Sequence, residues 1–539
     1  MKVKEKNIIN KYKNILKNYL RIQLSNVLSL LDRDIHSETY GCLDRQFWHY
    51  KSKNFINGMN QSYIYTLALF YKTNFQGNFL FKNEKAKSYL RAAIRFTVNN
   101  IHKDGSLDEH YYNEHSIAAT AFTLFSITET ILLIDLDYGY LTDYFRRSSN
   151  FLLKNKEKYI RSNHTACIAL CFYNLSLITG EKLYLKYTDQ ILDLLFNNWS
   201  DEGWFREYEG CDPGYNTFTL YYLSKYALKR KDQKMITYIK KSIFFCSHFI
   251  HPDLSYGGLY GSRNTMHFFP YSFEFIDMKN NLGKKMVNSF VKSMGSGTAE
   301  LITDSRFSFF QVDNILEMYN NFIRDRITDY YKGPQESDNF PEAGIYIYVN
   351  ENYHVILNYK KAGVLYIFKN GKLINRFYSI LIRTNHGILK SVGFNHTKYK
   401  KIEKGFLIEG YFKKNRKNQT FNHFYSFFLE IFNFTLGQIK IFRKALKNLL
   451  IKKLILEEKR SNVSYKIKIK FGKKIKLNYE IQRQNPNISI SEIRLSSFFT
   501  DIYVPSNKFF QIHNLANRDL ILKSCDEREK ETYRFNLII

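Results

Sequence analysis

An Asn-His pair, Asn163-His164, stands where the polar residues Arg161-Ser162 run into the apolar stretch Thr165–Ile178. About fifty residues later Tyr215 follows Asp212-Pro213-Gly214 and leads into a second helical run. A third polar group, Tyr260-Gly-Ser-Arg-Asn-Thr-Met-His267, comes after two glycines and offers Tyr260, Arg263, Asn264 and His267. As residue types, His and Tyr exchange protons, whereas Asn and Arg hold anions. A tyrosine with its ordinary pKa of ~10 acts as a base only where a cation or hydrogen bonds stabilise the phenolate. Arg263 could do that, or grip a carboxylate as a bidentate fork. The same residues also have structural readings. Ser162 or Asn163 suits an N-cap with His164 in the first turn, and the 260–267 group suits a turn.

Further candidates are less committed to chemistry. Arg45, Trp48 and His49, in Leu43-Asp-Arg-Gln-Phe-Trp-His-Tyr, suit a sugar subsite or an N-terminal plug. His110 and His115 flank Asn113-Glu114, and His115 could be a satisfied core histidine. Glu114, Glu207 and Asp212 are the carboxylates a hydrolytic pair would draw on. In the C-terminal part the nearest candidates are Asn385-His386 and Asn395-His396. Six cysteines form no C-x-x-C pair and no metal-ligand spacing, so neither a metal, a cofactor nor a disulfide framework is expected.

The elements that must position these residues change character along the chain. From about Lys11 to Tyr330 apolar residues recur at helical spacing, interrupted by short loops rich in Gly, Asp and Asn. Three of those loops begin alike, at Asp104, Asp201 and Asp253, 97 and 52 residues apart. A helical hairpin with its loops needs roughly 50 residues. Loops at multiples of that period fall on one face of a curved array of hairpins, an α/α toroid. After Lys332-Gly-Pro-Gln the runs become short and β-rich, as in Ile345–Val349, Tyr353–Tyr359, Val364–Phe368 and Phe406–Phe412. Residues 465–470 alternate apolar with lysine, as a strand with one wet face does. An antiparallel β-sandwich is expected there, with Ile439–Arg460 a possible helix within it. The fold class is thus multidomain α+β. Its parts are an N-terminal helical segment at 1–39, the toroid at 40–331 and the sandwich at 332–539.

Composition bounds the partners. Hydrophobic residues form 44 % of the 539, enough for large cores, and aromatics 17 %, which suits stacking on sugar rings. Residues 331–539 hold 38 Lys+Arg against 17 Asp+Glu, and residues 1–330 hold 42 against 33. Such a surface attracts polyanions, yet no nucleic-acid motif directs it, so nucleic acid is not the expected partner. Joint enrichment in Ile, Lys, Asn, Tyr and Phe also follows from AT-rich coding. No signal peptide and no membrane-spanning stretch is read, which predicts a cytoplasmic protein in preference to a periplasmic or secreted one.

Asn-His at a helix start, followed about fifty residues later by a loop tyrosine, resembles the catalytic layout of heparinase II/III-type polysaccharide lyases and related alginate lyases. Tyr112-Asn-Glu-His-Ser and Gly257-Gly-Leu-Tyr-Gly-Ser-Arg-Asn-Thr-Met-His add to the likeness over residues 40–330. The resemblance implies β-elimination on a uronate-containing, acidic polysaccharide or oligosaccharide. Asn163, His164 and Tyr215 would be catalytic: Tyr215 for proton transfer, His164 a base or charge stabiliser, Asn163 the carboxylate neutraliser. Arg263, His267, Tyr260, Asn264, His115, Arg45 and Trp48 would bind substrate. A glycoside hydrolase, a uronyl epimerase or a non-catalytic glycan-binding relative would keep the same toroid.

Overall fold

The computed structural model describes residues 3–156, 161–322, 327–394, 397–414, 423–451, 460–497, 519–524 and 530–539. Its helices up to residue 322 are α1 (Val3–Leu30), α2 (Arg45–Trp48), α3 (Gly58–Gln61), α4 (Tyr63–Lys72), α5 (Glu84–Asn99), α6 (Ile117–Ile134) and α7 (Thr142–Lys154). There follow α8 (Ser162–Thr179), α9 (Lys182–Phe196), α10 (Pro213–Arg230), α11 (Gln233–Ser247), α12 (Tyr271–Phe275), α13 (Leu282–Ser296) and α14 (Ser308–Phe322). A two-stranded ribbon, β1 (Trp199–Ser200) with β2 (Trp204–Phe205), sits between α9 and α10.

Every second helix from α4 onward belongs to an inner ring. α4 packs on α6, α6 on α8, α8 on α10, α10 on α12, α12 on α14, and α14 returns to α4. The sequence explains the sorting. α6 and α8 are apolar or small around their whole circumference and are buried on nearly all sides, as helices inside a ring must be. α5 and α7 carry one apolar stripe and lie outside. α1, which the sequence sets apart as a separate segment, packs on α13, α14 and α4 and so completes the outer layer. Its Leu16, Leu20, Leu24 and Val27 are buried at the spacing of one helix face. α6 is long and apolar enough to cross a membrane, against the sequence reading that no stretch is, but it is 83 % buried inside the ring.

The inner helices run parallel, because residues near their starts meet. Phe122 of α6 touches His164 of α8, Phe218 of α10 and Phe310 of α14, with ring centroids 4.7–6.1 Å apart. Their N-termini therefore share one rim. Toward the other end lies a buried charge cluster. Lys225 Nζ of α10 meets Glu129 of α6 at 3.0 Å, Tyr65 Oη of α4 at 3.0 Å and Glu317 of α14. Lys229 reaches Glu129 at 2.5 Å and Asn174 of α8 at 2.7 Å.

The C-terminal part is antiparallel β. β3 (Asp338–Phe340), β4 (Ile345–Val349), β5 (Tyr353–Asn358), β6 (Val364–Lys369) and β7 (Lys372–Phe377) form one sheet in sequence order. The second comprises β8 (Ser379–Thr384), β9 (Gly387–Lys390), β10 (Thr397–Ile402), β11 (Gly405–Lys414), β12 (Arg460–Lys470), β13 (Lys476–Arg483), β14 (Ile490–Ser496), β15 (Leu520–Ser524) and β16 (Thr532–Ile538). Its order is β15-β14-β8-β9-β11-β12-β13-β16, with β10 also on β11. Val355, Leu357, Leu365 and Ile367 of the first sheet pack against the second, making a sandwich. The alternate residues Ile356, Val364, Tyr366 and Phe368 face the helical domain and join its core. Because successive side chains of a strand point to opposite faces, β5 is buried on both. Asn370 and Gly371, both at positive φ, turn β6 into β7 as expected. Between β11 and β12 stand α15 (His423–Phe434), which the sequence did not announce, and α16 (Lys440–Ile451), within the stretch read as helical.

Candidate active site

α8 begins without a cap of its own. The N-cap position is Arg161, in extended backbone, and Ser162 is already helical. The expectation that Ser162 or Asn163 caps the helix is thereby corrected. Glu207, from the loop before α10, does the capping: its carboxylate accepts from Ser162 N at 2.8 Å and from Ser162 Oγ at 2.5 Å. A carboxylate is well suited to the exposed N–H groups and positive end of a helix. Asn163 and His164 thus sit in a first turn fixed from a neighbouring hairpin. Asn163 is buried, and its Oδ1 has no hydrogen-bond partner among the described residues.

α10 is capped conventionally by Asp212, whose Oδ1 accepts from Tyr215 N at 3.1 Å, with Pro213 at the first helical position. The other oxygen of Asp212 accepts from Arg263 N at 2.8 Å, and Thr265 Oγ1 also donates to this carboxylate. One buried carboxylate therefore fixes Tyr215 and Arg263 relative to each other. The 257–267 loop is held from behind by the β-domain. Lys361 Nζ donates to the carbonyls of Leu259 and Gly261, each at 2.7 Å, and to Asn264 Oδ1. Asn358 Nδ2 donates to Tyr260 O at 2.7 Å.

These supports bring Arg263 between two aromatic faces, 4.3 Å from the Tyr208 ring and 4.6 Å from the Tyr215 ring. Its Nη2 is 3.5 Å from Tyr215 Oη, and its Nη1 is 3.6 Å from Glu207 Oε2. His267 meets the Tyr215 ring edge-on at 5.6 Å. Burial, then the Arg263 charge, push the His267 pKa down to about 3. His164 is lowered well below its ordinary value by burial and by Arg161 and Arg263. Both imidazoles are therefore neutral at neutral pH. Burial raises the Tyr215 phenol, opposed by Arg263, so the proton stays on the oxygen in the free protein. The cluster offers a phenol beside a fixed cation and two uncharged imidazoles. It can remove and return a proton while stabilising negative charge.

Some expected residues stand elsewhere. Tyr260 is 0 % exposed, bonds His251 Nε2 through its hydroxyl at 2.9 Å and stacks near Phe249, so it reaches no substrate. Asn264 is consumed by Lys361 and by Tyr378 Oη at 3.0 Å, and it buttresses the loop. His115 stitches its own loop, to Ser106 Oγ at 2.7 Å and Asn113 Oδ1 at 2.8 Å, and stacks on His102. Trp48 Nε1 donates to Leu30 O at 2.7 Å, which ties α2 to the end of α1; Arg45 lies over Tyr50. Asn385 and His386 form the β8–β9 turn, while Asn395 and His396 lie outside the described residues. Arg161 and Tyr208 belong to the cluster without having been expected. Arg161 Nε donates to Tyr208 Oη at 2.8 Å, and Tyr208 sits at φ 58°, a left-handed conformation that a bulky residue rarely adopts. Glu207, counted only as a spare carboxylate, is the central support.

Neither a known protein family nor any curated protein sequence matches the chain. Solved structures do. A xanthan lyase from Paenibacillus superposes with a TM-score of 0.52 at 10 % identity, over 91 % of this chain and 49 % of that one. The fold is that of the toroid polysaccharide lyases. A mutant of the chondroitin AC lyase of Streptomyces coelicolor A3 gives 0.45 at 7 % identity, over 91 % and 68 %. Heparinase III gives 0.44 at 11 % identity, over 89 % and 76 %. The chain spans about half the length of the xanthan lyase. The likeness to the xanthan lyase is one of fold alone.

Proposed function

We propose that the chain is a polysaccharide lyase-like enzyme that cleaves a uronate-containing, acidic polysaccharide by β-elimination at the Tyr215–Arg263 cluster. The observation that carries this reading is the half-buried Tyr215 phenol held 3.5 Å from Arg263 Nη2, with neutral His267 edge-on to its ring. In the reaction a base removes the proton on the carbon next to the carboxylate. The resulting electron pair forms a carbon–carbon double bond, and the bond to the glycosidic oxygen breaks. Because Tyr215 carries its proton in the free protein, neutral His164 takes the substrate proton and Tyr215 gives its own to the leaving glycosidic oxygen; its transient phenolate meets the Arg263 charge until the imidazole proton is returned. The Asn163 amide disperses charge on the substrate carboxylate. Parallel inner helices add the positive ends of their dipoles on the same rim, which favours an anionic chain. The fold shared with xanthan lyase is consistent with such a substrate.

A hydrolase would need two carboxylates facing the sugar. Asp212 and Glu207 are both engaged in holding helix starts, and Glu114 accepts from the backbone N–H of His110 at 2.8 Å. The lyase reading is tested with a panel of acidic polysaccharides, by ultraviolet absorbance of the unsaturated product. Depolymerisation without that chromophore would mean hydrolysis, and no depolymerisation of any uronate polymer would refute the reading.

A further inference from the structure

β11 and β12 pair directly, Lys413 opposite Arg460, so a short turn would suffice to join them. The chain instead leaves the sheet and builds α15 and α16, twelve residues each. α15 reads His-Phe-Tyr-Ser-Phe-Phe-Leu-Glu-Ile-Phe-Asn-Phe, and its rings are not used for a core. Phe424, Phe427 and Phe434 are 66, 60 and 63 % exposed, and Ile441 in α16 is 76 % exposed. The bend between the helices is nevertheless fixed. Asn113 Nδ2 donates to Gly437 O at 2.9 Å, Arg443 Nη1 to the same carbonyl at 2.9 Å and to Asn113 Oδ1 at 3.2 Å. Tyr112 also stacks on Phe434 at 5.7 Å. The hairpin is riveted at its bend to a rim loop of the toroid and leaves its apolar surface in water. A run of exposed rings held in place by a fixed bend points to a docking surface.

We propose that this hairpin docks the protein on an anionic lipid surface, with the exposed α15 rings in the interface and the net positive charge of the segment drawn to the headgroups. Charge selects this occupant. Residues 423–451 carry Lys440, Arg443, Lys444 and Lys447 among their cations against Glu430 alone, and α16 has no acidic residue. A second copy of the chain would oppose like charges across the contact. Interfaces between proteins are depleted in lysine, whereas basic helices with aromatic and aliphatic neighbours lie in the headgroup region of membranes. Helices of twelve residues are too short to span a bilayer, so the attachment is peripheral and salt-sensitive. Docking would hold the rim loop 110–115 close to the membrane plane.

The full chain is to be sedimented with vesicles of phosphatidylcholine alone and with phosphatidylglycerol mixed in. Binding to the mixed vesicles is expected to exceed binding to phosphatidylcholine by roughly tenfold and to weaken steeply in high salt. Phe427→Ser with Phe428→Ser should lower it again by about tenfold without moving the thermal unfolding midpoint, since both rings are exposed. Equal partition into both vesicle types, salt-insensitive binding or an unaffected double variant would each overturn the proposal. So would a dimer in solution that the double variant dissociates.

Discussion

Tyr215 is pulled in opposite directions by its surroundings, burial raising its pKa and Arg263 lowering it. A group so placed contributes when its charge changes, not when substrate merely binds. Tyr215→Phe removes only the oxygen, and we expect turnover of a uronate polymer to fall by at least ~10³-fold with binding nearly unchanged. Single-turnover kinetics beside equilibrium binding would check this, and a parallel loss of affinity would contradict it. The imidazoles give a pH expectation. Because the charged form of His164 is disfavoured, the pH profile of kcat/KM should show no acid limb near ~6.5, the value of a free histidine. For His267 the linkage sign is definite. Below ~6.5 the unfolded chain binds a proton that the native state, with its pKa at about 3, refuses. Stability should therefore decline as pH falls through that window, by ~1.4 kcal/mol per unit for this one group. Urea titrations should show a shallower decline in His267→Gln. That Tyr215 and Arg263 stand together was legible in the sequence, because polar residues set between apolar runs at the spacing of successive hairpins stand out. Arg161 and Tyr208 were not, since only backbone geometry and distant packing distinguish them from surface residues. Tyr260 was misread because a loop after two glycines reads as exposed, while here the β-domain covers it.

At the scale of elements, the site is held by two contacts that cross between segments. Glu207 caps α8 from the loop before α10 and balances Arg263. Glu207→Ala would leave Ser162 N–H without its acceptor and a buried guanidinium without its counter-charge, costing ~3–5 kcal/mol. Chemical denaturation would show the loss. Glu207→Gln, which keeps an acceptor for Ser162, should cost less. Lys361 is the second contact, three donated bonds onto the loop that carries Arg263. Lys361→Met should lower activity with the helical domain's own unfolding little changed, seen as limited proteolysis directed to residues 257–267. Apart from α15, the change from helices to strands was readable, since a 3.6 period and a 2 period differ plainly over ten residues. A cap supplied from another hairpin has no local signature, so the start of α8 was misassigned. The role of α1 was hidden for a related reason, because its partners α13 and α14 are near the far end of the helical domain.

The whole molecule depends on closing a ring, and the cluster around Lys225 links its inner helices. That ammonium is surrounded by Tyr65, Phe125, Tyr221 and Tyr271 faces at 5.0–5.9 Å and by the carboxylates of Glu129 and Glu317. Glu129 also receives Lys229 and Asn174, so helices from α4 to α14 converge on one set of charges. Opposite charges taken out of water recover their desolvation only when they stay together. Among the described residues, Lys225→Met would leave buried Glu317 with the Tyr65 hydroxyl as its hydrogen-bond partner, and Glu129 with Lys229 as its cation. We expect a loss of ~3–5 kcal/mol, of the kind found when one member of a buried pair is removed. Because the cluster lies toward the opposite end of the ring from Tyr215, the variant should keep its catalytic constants at low temperature and lose activity on heating earlier than wild type. A variant that unfolds normally but fails to turn over substrate when cold would mean that the charges act on the site rather than on ring closure.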